Sequence, residues 1–246
     1  VDPVLNIAAY RFVDVADGPA LRERLFSSAQ AAGLKGTVLI APEGINLNLA
    51  GPPAAVNGWL AALRSDPRFA GLDTRQSFSG ALPFRRLRVK LKREIIRINE
   101  PQLRPAAGRA PAVDAATVRR WLDAGRCDAG RPVVMLDTRN AFEVDAGAFE
   151  HATHWRLQRF SDFPAAFDAH RSELEGKTVV SYCTGGIRCE KAALLMRERG
   201  LAHVLQLDGG ILRYFEQTTQ APHWRGDCFV FDERFALDTA LGTAPA

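Results

Sequence analysis

Between residues 132 and 217 the chain switches repeatedly between two periodicities over short distances. Pro132-Val133-Val134-Met135-Leu136-Asp137, Lys177-Thr178-Val179-Val180-Ser181-Tyr182 and Val204-Leu205-Gln206-Leu207 are apolar runs too short for helices. Helical spacing marks Phe163 to Leu174, Glu190 to Arg199 with Gly200 as a stop signal, and Ile211 to about Gln217. A further helix, Ala115 to Ala124, with Val118, Trp121 and Leu122 on one side, precedes them. Strands apolar on both faces, joined by short helical crossovers, predict a parallel sheet covered on both sides. Ligands of open α/β sheets gather at the carboxyl ends of the strands. The residues that follow Asp137, Tyr182 and Leu207 are therefore the ones to read for chemistry.

The first hundred residues follow another plan. Leu5 to Val13 reads as a strand, Ala20 to Ala32 as a helix stopped by Gly33, and Thr37 to Ala41 as a buried strand. Pro42-Glu43-Gly44 marks a turn into Ile45-Asn46-Leu47-Asn48-Leu49, whose period of two predicts a hairpin. Ala54 to Leu63 is a second helix, ended by Ser65-Asp66-Pro67. From Leu87 onward, Leu87, Val89 and Leu91 alternate with Arg88, Lys90 and Lys92, which predicts a last strand with an apolar face and a cationic face. A βαββαβ order of this kind suggests a ferredoxin-like split-βαβ sandwich. Residues 101–112, rich in Pro, Ala and Gly and without apolar periodicity, read as a linker. The expected organisation is thus an α+β, ferredoxin-like (acylphosphatase-like) domain over 1–100, a linker over 101–112, an α/β domain over 113–220 and a C-terminal segment over 221–246.

Charge separates the two halves. Residues 1–100 carry 14 Lys+Arg against 9 Asp+Glu, and the remainder 18 against 19, so the net charge of +4 originates in the N-terminal part. Much of it lies in Arg85-Arg86-Leu87-Arg88-Val89-Lys90-Leu91-Lys92-Arg93. That cluster is either a solvated strand face or a surface for a polyanion. No apolar run approaches a membrane span and no basic-then-apolar leader is present, so a cytoplasmic protein without membrane contact is expected. Nothing in the sequence implies a stable protein partner.

Tyr182 runs directly into Cys183-Thr184-Gly185-Gly186-Ile187-Arg188, with a helix soon after. Two glycines let such a loop curl until several backbone N–H groups point inward, as an anion nest at a helix N-terminus. A thiol there is stabilised as thiolate by those donors, the helix dipole and Arg188. Cys189 either resolves an oxidised Cys183 as a second thiol or fills a small helix position. Cys228, beside Phe229 and Phe231, either folds back over the loop or is core, and Cys127 is expected to be an exposed bystander. Arg139 and Glu143, at i,i+4 spacing, are expected to form an ion pair under the loop, and Asp137 to accept loop N–H bonds. His151 and His154 lack partners at ligand spacing, so no metal site is expected, and no Rossmann, Walker or flavin motif suggests a cofactor.

Asp137-Thr138-Arg139, Glu143, the Cys183–Arg188 loop and Leu207-Asp208-Gly209-Gly210-Ile211 together resemble a rhodanese domain over about residues 113–220. A more specific resemblance covers nearly the whole chain. Ala41-Pro42-Glu43-Gly44-Ile45-Asn46, the strand Val89 to Ile95, Leu136 to Asn140, Tyr182 to Ala192 and Cys228-Phe229-Val230-Phe231-Asp232-Glu233-Arg234 resemble the tRNA uridine hydroxylase family. Where that family has a Gly-Ala turn, this chain has His151-Ala152. The resemblance implies oxygen-dependent conversion of a wobble uridine to 5-hydroxyuridine, with tRNA as partner and molecular oxygen as co-substrate. It implies Cys183 and Arg188 as catalytic residues, Thr184, Gly185, Gly186 and Ile187 as their nest, and Asp137, Arg139, Glu143 and Cys189 in support. Arg86, Arg88, Lys90, Lys92 and Arg93 would contact RNA phosphates. The alternatives are a sulfurtransferase that passes sulfur through a Cys183 persulfide, and a non-enzymatic RNA-binding protein.

Overall fold

The computed structural model describes residues 3–244; positions 1 and 2 of the expected first domain and 245 and 246 of the expected C-terminal segment lie outside the described residues. The chain divides into two compact units, one reaching to Arg97 and taking in Phe231–Arg234, the other running from Ile98 to Val230 and resuming at Phe235.

In the first unit β1 (Val4–Phe12), α1 (Gly18–Ala31), β2 (Lys35–Ala41), β3 (Gly44–Gly51), α2 (Pro53–Arg64) and β4 (Thr74–Ser79) precede β5 (Leu87–Leu91). The sheet order is β4-β1-β3-β2-β5. The first four strands are mutually antiparallel where they pair, which is the split-βαβ arrangement. The fourth strand is, however, Thr74–Ser79 and not the basic stretch. The sequence reading missed it because Thr74-Arg75-Gln76-Ser77-Phe78-Ser79 is nearly all polar and half-buried at a sheet edge. The basic strand is instead a fifth, parallel to β2, with Val38 opposite Val89. Its alternation is also weaker than expected: Val89 alone is buried, Leu87 is half-buried and Leu91 is 45% exposed. Among the described residues β5 is an edge strand, with no further strand across which to bury a side chain.

One face of this sheet packs its alternating residues, among them Leu5, Ile7, Val38, Ile40, Leu47 and Leu49, against Leu21, Leu25 and Ala29 of α1 and Val56, Leu60 and Leu63 of α2. Burying each such side chain contributes about 1.5–3 kcal/mol. Both helices begin with proline in the first turn, where a missing N–H is harmless. Arg234 donates to Ser77 Oγ at 2.7 Å and Glu233 N–H to the Pro83 carbonyl at 3.1 Å, which places the 231–234 segment in this unit.

The second unit contains β6 (Ala112–Val113), α3 (Ala115–Ala124), β7 (Val133–Asp137), α4 (Ala141–Ala146), β8 (Gly147–Phe149), β9 (Thr153–His154), α5 (Phe163–His170), β10 (Thr178–Tyr182), α6 (Ile187–Glu198), β11 (Val204–Leu207) and α7 (Gly210–Gln217). Short strands β12 (Trp224–Gly226), β13 (Cys228–Phe229) and β14 (Ala236–Leu237) follow. The central sheet, β6-β11-β10-β7-β9, is parallel throughout. All five residues of β10 are buried, as its position in the middle of the sheet requires. The stretch read as a linker packs onto this unit: Leu103, Pro105 and Ala110 are buried, and Gln206 donates to the Ala110 carbonyl at 3.0 Å. Among the described residues no helix is long and apolar enough to cross a membrane.

Candidate functional site

The register of β7 and β10 sets Asp137 opposite Tyr182, so both strands end level and their following loops meet. Thr138 closes the junction, its N–H and hydroxyl donating to the Tyr182 carbonyl at 3.0 and 2.9 Å. Arg139 then folds back on Asp137, with Nη2 at 2.6 Å and Nε at 2.9 Å from its carboxylate, both side chains fully buried. It also donates to the backbone carbonyls of Gly147 at 2.6 Å and Glu143 at 3.3 Å. Asp137 accepts the Arg139 N–H at 3.0 Å, one of the loop amides it was expected to hold.

The expected Arg139–Glu143 ion pair does not form. Glu143 offers Arg139 only its backbone, because Asp137 already occupies that guanidinium. Its carboxylate turns the other way and takes Arg188 in a two-pronged pair, at 2.6 and 2.7 Å. The same carboxylate accepts the Asn140 N–H at 3.1 Å, capping α4. Sequence reasoning missed both this pair and α4; the Asn-x-x-Glu pattern at Asn140–Glu143 could have announced the helix, but the second partner of the carboxylate, Arg188, lies 45 residues away.

Cys183 follows β10 with no exposed surface. The Gly186 N–H donates to its Sγ at 3.2 Å, and Gly186 has φ +103°, a backbone that other residues rarely adopt. The carbonyls of Cys183 and Thr184 accept the N–H groups of Ile211 and Leu212 at 3.0 and 3.1 Å. Here Gly210 is decisive: a Cβ there would lie 2.4 Å from the Cys183 carbonyl oxygen and 2.8 Å from both Gly186 N and the Thr184 carbonyl oxygen. The Asp208-Gly209-Gly210 turn is thus the second wall of the cysteine loop. Gly185, by contrast, faces open space.

Burial alone raises the Cys183 thiol, but the hydrogen bond with Cys189, the charge of Arg188 and the amides of Cys189 and Arg188 outweigh it and hold the thiol below its ordinary range. Cys189 moves the opposite way, raised by burial and by Cys183 beside it. Cys228 is buried and pushed up to about 12 by burial, against the lowering effect of the Arg139 charge and of a hydrogen bond with Thr184.

Cys127 is not the exposed bystander expected. It is 5% exposed and accepts a hydrogen bond from the Thr178 hydroxyl at 3.2 Å, which lowers its thiol. The tight Cys127–Gly130 turn, closed by Gly130 N–H to the Cys127 carbonyl at 2.8 Å, folds it inward. It borders a cavity of about 320 Å³ at the start of β10 and β11, lined also by Trp121, Arg131, Thr178 and His203. That is the opposite end of β10 from Cys183.

Arg86, Arg88, Lys90, Lys92 and Arg93 are all exposed, and no ion pair holds any of them among the described residues. Arg85 beside them pairs with Glu233 at 2.6 Å. Among the described residues no three His, Cys, Asp or Glu side chains gather in a way that could hold a metal ion. His151 adopts φ +58° in the turn after Phe149, a conformation suited to the glycine that stands there in the family it resembles.

Residues 4–95 match a UPF0176 acylphosphatase-like domain and residues 114–217 a rhodanese-like domain. A protein of Variovorax paradoxus is 61% identical over 99% of this chain and 92% of its own length, and bears the name tRNA uridine(34) hydroxylase. So do relatives from Bordetella avium, 61% identical over 97% of this chain and 98% of that one, and from Delftia acidovorans, 57% identical over 98% and 92%. These matches span both units, and the chain belongs to the tRNA uridine(34) hydroxylase family.

Proposed function

We propose that this protein hydroxylates uridine 34 of tRNA at C5, with molecular oxygen as co-substrate, in the cytoplasm. The observation that carries the reading is full-length identity near 60% to proteins of that name, together with an intact cysteine loop. Cys183 is the reactive thiol. The Gly186 amide and the first turn of α6 favour its thiolate, and Arg188 adds a positive charge that Glu143 fixes in place. Asp137 and Arg139 act as positioning residues, locking the β7 end against the loop. Arg86, Arg88, Lys90, Lys92 and Arg93 offer unpaired cations to the RNA backbone, contacts that position a substrate without reading its sequence.

Mass spectrometry of nucleosides from tRNA of cells with and without the gene tests the reading. Hydroxyuridine lost on deletion, restored by the wild-type chain and not by Cys183→Ala, is the expected result. Unchanged hydroxyuridine overturns it. The rhodanese-like domain match supports a second reading, sulfur transfer, in which purified protein incubated with a sulfur donor gains about 32 Da on Cys183 as a persulfide.

A further inference from the structure

The loop holds two sulfurs, and the reading above uses one. Cys189 lies in the first turn of α6, fully buried, with its Sγ 4.0 Å from Cys183 Sγ. Gly186 serves both thiols: its N–H donates to Cys183 Sγ at 3.2 Å, and its carbonyl accepts from Cys189 Sγ at 3.0 Å. The backbone on either side is pinned, by Ile211 and Leu212 at the Cys183 end and by the Ser181 hydroxyl on the Cys189 carbonyl at 3.3 Å. The sulfur–sulfur approach is therefore built into the fold. A disulfide needs about 2.05 Å between sulfurs, so closure requires a side-chain movement of roughly 2 Å.

Hydroxylation by molecular oxygen places one oxygen atom on carbon and reduces the other to water, which takes two electrons beyond those of the broken C–H bond. A dithiol supplies two when it closes to a disulfide. We propose that Cys183 and Cys189 are this two-electron donor and form a disulfide once per turnover; the proposal rests on the hydroxylase reading. One C5–H bond, the O–O bond and two S–H bonds break. One C5–OH group, one S–S bond and one water form. The three hydrogens end in the hydroxyl group and the water, and a Cys183 thiolate draws its share from solvent as a proton. Carbon and both sulfurs are oxidised, and oxygen is reduced. An external dithiol reopens the bridge by exchange.

The test is a reductant-free single turnover. Full-length protein, reduced and then freed of reductant under nitrogen, is mixed with unmodified tRNA and air, then quenched in acid and denaturant with maleimide. The expected result is hydroxyuridine matched in amount by a Cys183–Cys189 link on peptide mapping. Hydroxyuridine formed while both thiols remain free, or while Cys183 links to Cys228, overturns the proposal and leaves the hydroxylase reading standing. No hydroxyuridine even with excess dithiothreitol overturns both. In Cys189→Ala the reductant-free yield should fall by roughly tenfold or more and recover with dithiothreitol, which a purely structural role would not produce. Cys189→Ser, which keeps a donor toward the Gly186 carbonyl, serves as the second variant, and an undiminished reductant-free yield from either overturns the proposal.

Discussion

The cysteine loop and the basic strand are the two regions of this molecule that carry candidate chemistry, and they are built in opposite ways. Around Cys183 almost every polar group is engaged: Asp137 with Arg139, Glu143 with Arg188, the loop carbonyls with α7 amides, and the thiol with the Gly186 N–H. Along β5 the cations stand exposed at a sheet edge, without ion pairs among the described residues, on a strand laddered to β2 and anchored by buried Val89. A preorganised site concentrates its sensitivity in a few buried contacts, and an electrostatic surface spreads it over many exposed ones. Lysines and arginines on an edge strand also block edge-to-edge pairing, so β5 would carry some cations even without RNA.

The contrast can be broken most sharply at Gly210. Its Cβ position lies against loop backbone, so Gly210→Ala must displace the cysteine loop, and a shift near 1 Å lowers activity by about 100-fold. Gly185→Ala, which enters open space, should lower it far less. Hydroxyuridine formation in vitro by both variants is the measurement, and equal losses would mean that the loop is not set by the α7 wall.

Next in size is the Glu143–Arg188 pair. Glu143→Gln leaves a buried guanidinium without its counter-charge and should destabilise the protein by about 3–5 kcal/mol in denaturant unfolding. Arg188→Met removes the cation that favours the thiolate, so the Cys183 midpoint should rise. Because the wild-type thiol sits below its ordinary range, its alkylation by a small reagent should reach its plateau at lower pH than that of a free thiol, about 8.5. In Arg188→Met the plateau should move up in pH, and a profile that stays where it was would dissociate Arg188 from the thiol.

Smaller and of a different kind is the effect expected at β5. Changing Arg88, Lys90 and Lys92 together to Gln should reduce the salt slope of tRNA binding by about 0.7 per lost phosphate contact. KM should rise several-fold with kcat unchanged. An unaltered slope would assign the strand to the solvated-edge role. Smallest is His151→Gly, which relieves a left-handed backbone and should stabilise the fold by about 1 kcal/mol in thermal or denaturant melts.

The sequence by itself determined the parallel sheet of the second unit, the helices after Tyr182 and Leu207, and Cys183 as the cysteine at a strand's carboxyl end. Apolar runs and glycine positions are local signals, and local backbone preference decides them. It also determined the βαββ core of the first unit, where alternation is strong. The polar β4 escaped detection because an edge strand buries too little to leave a pattern. Only the tertiary structure decided which charges pair. Spacing along the chain favoured Arg139 with Glu143, yet Asp137 claimed Arg139 and left Glu143 for Arg188, 45 residues away. Burial of Cys127 and the 4.0 Å approach of Cys189 to Cys183 were likewise settled by the fold. Those outcomes depend on register between β7 and β10 and on the packing of Gly210 against the loop, distances in space that no periodicity along the chain encodes.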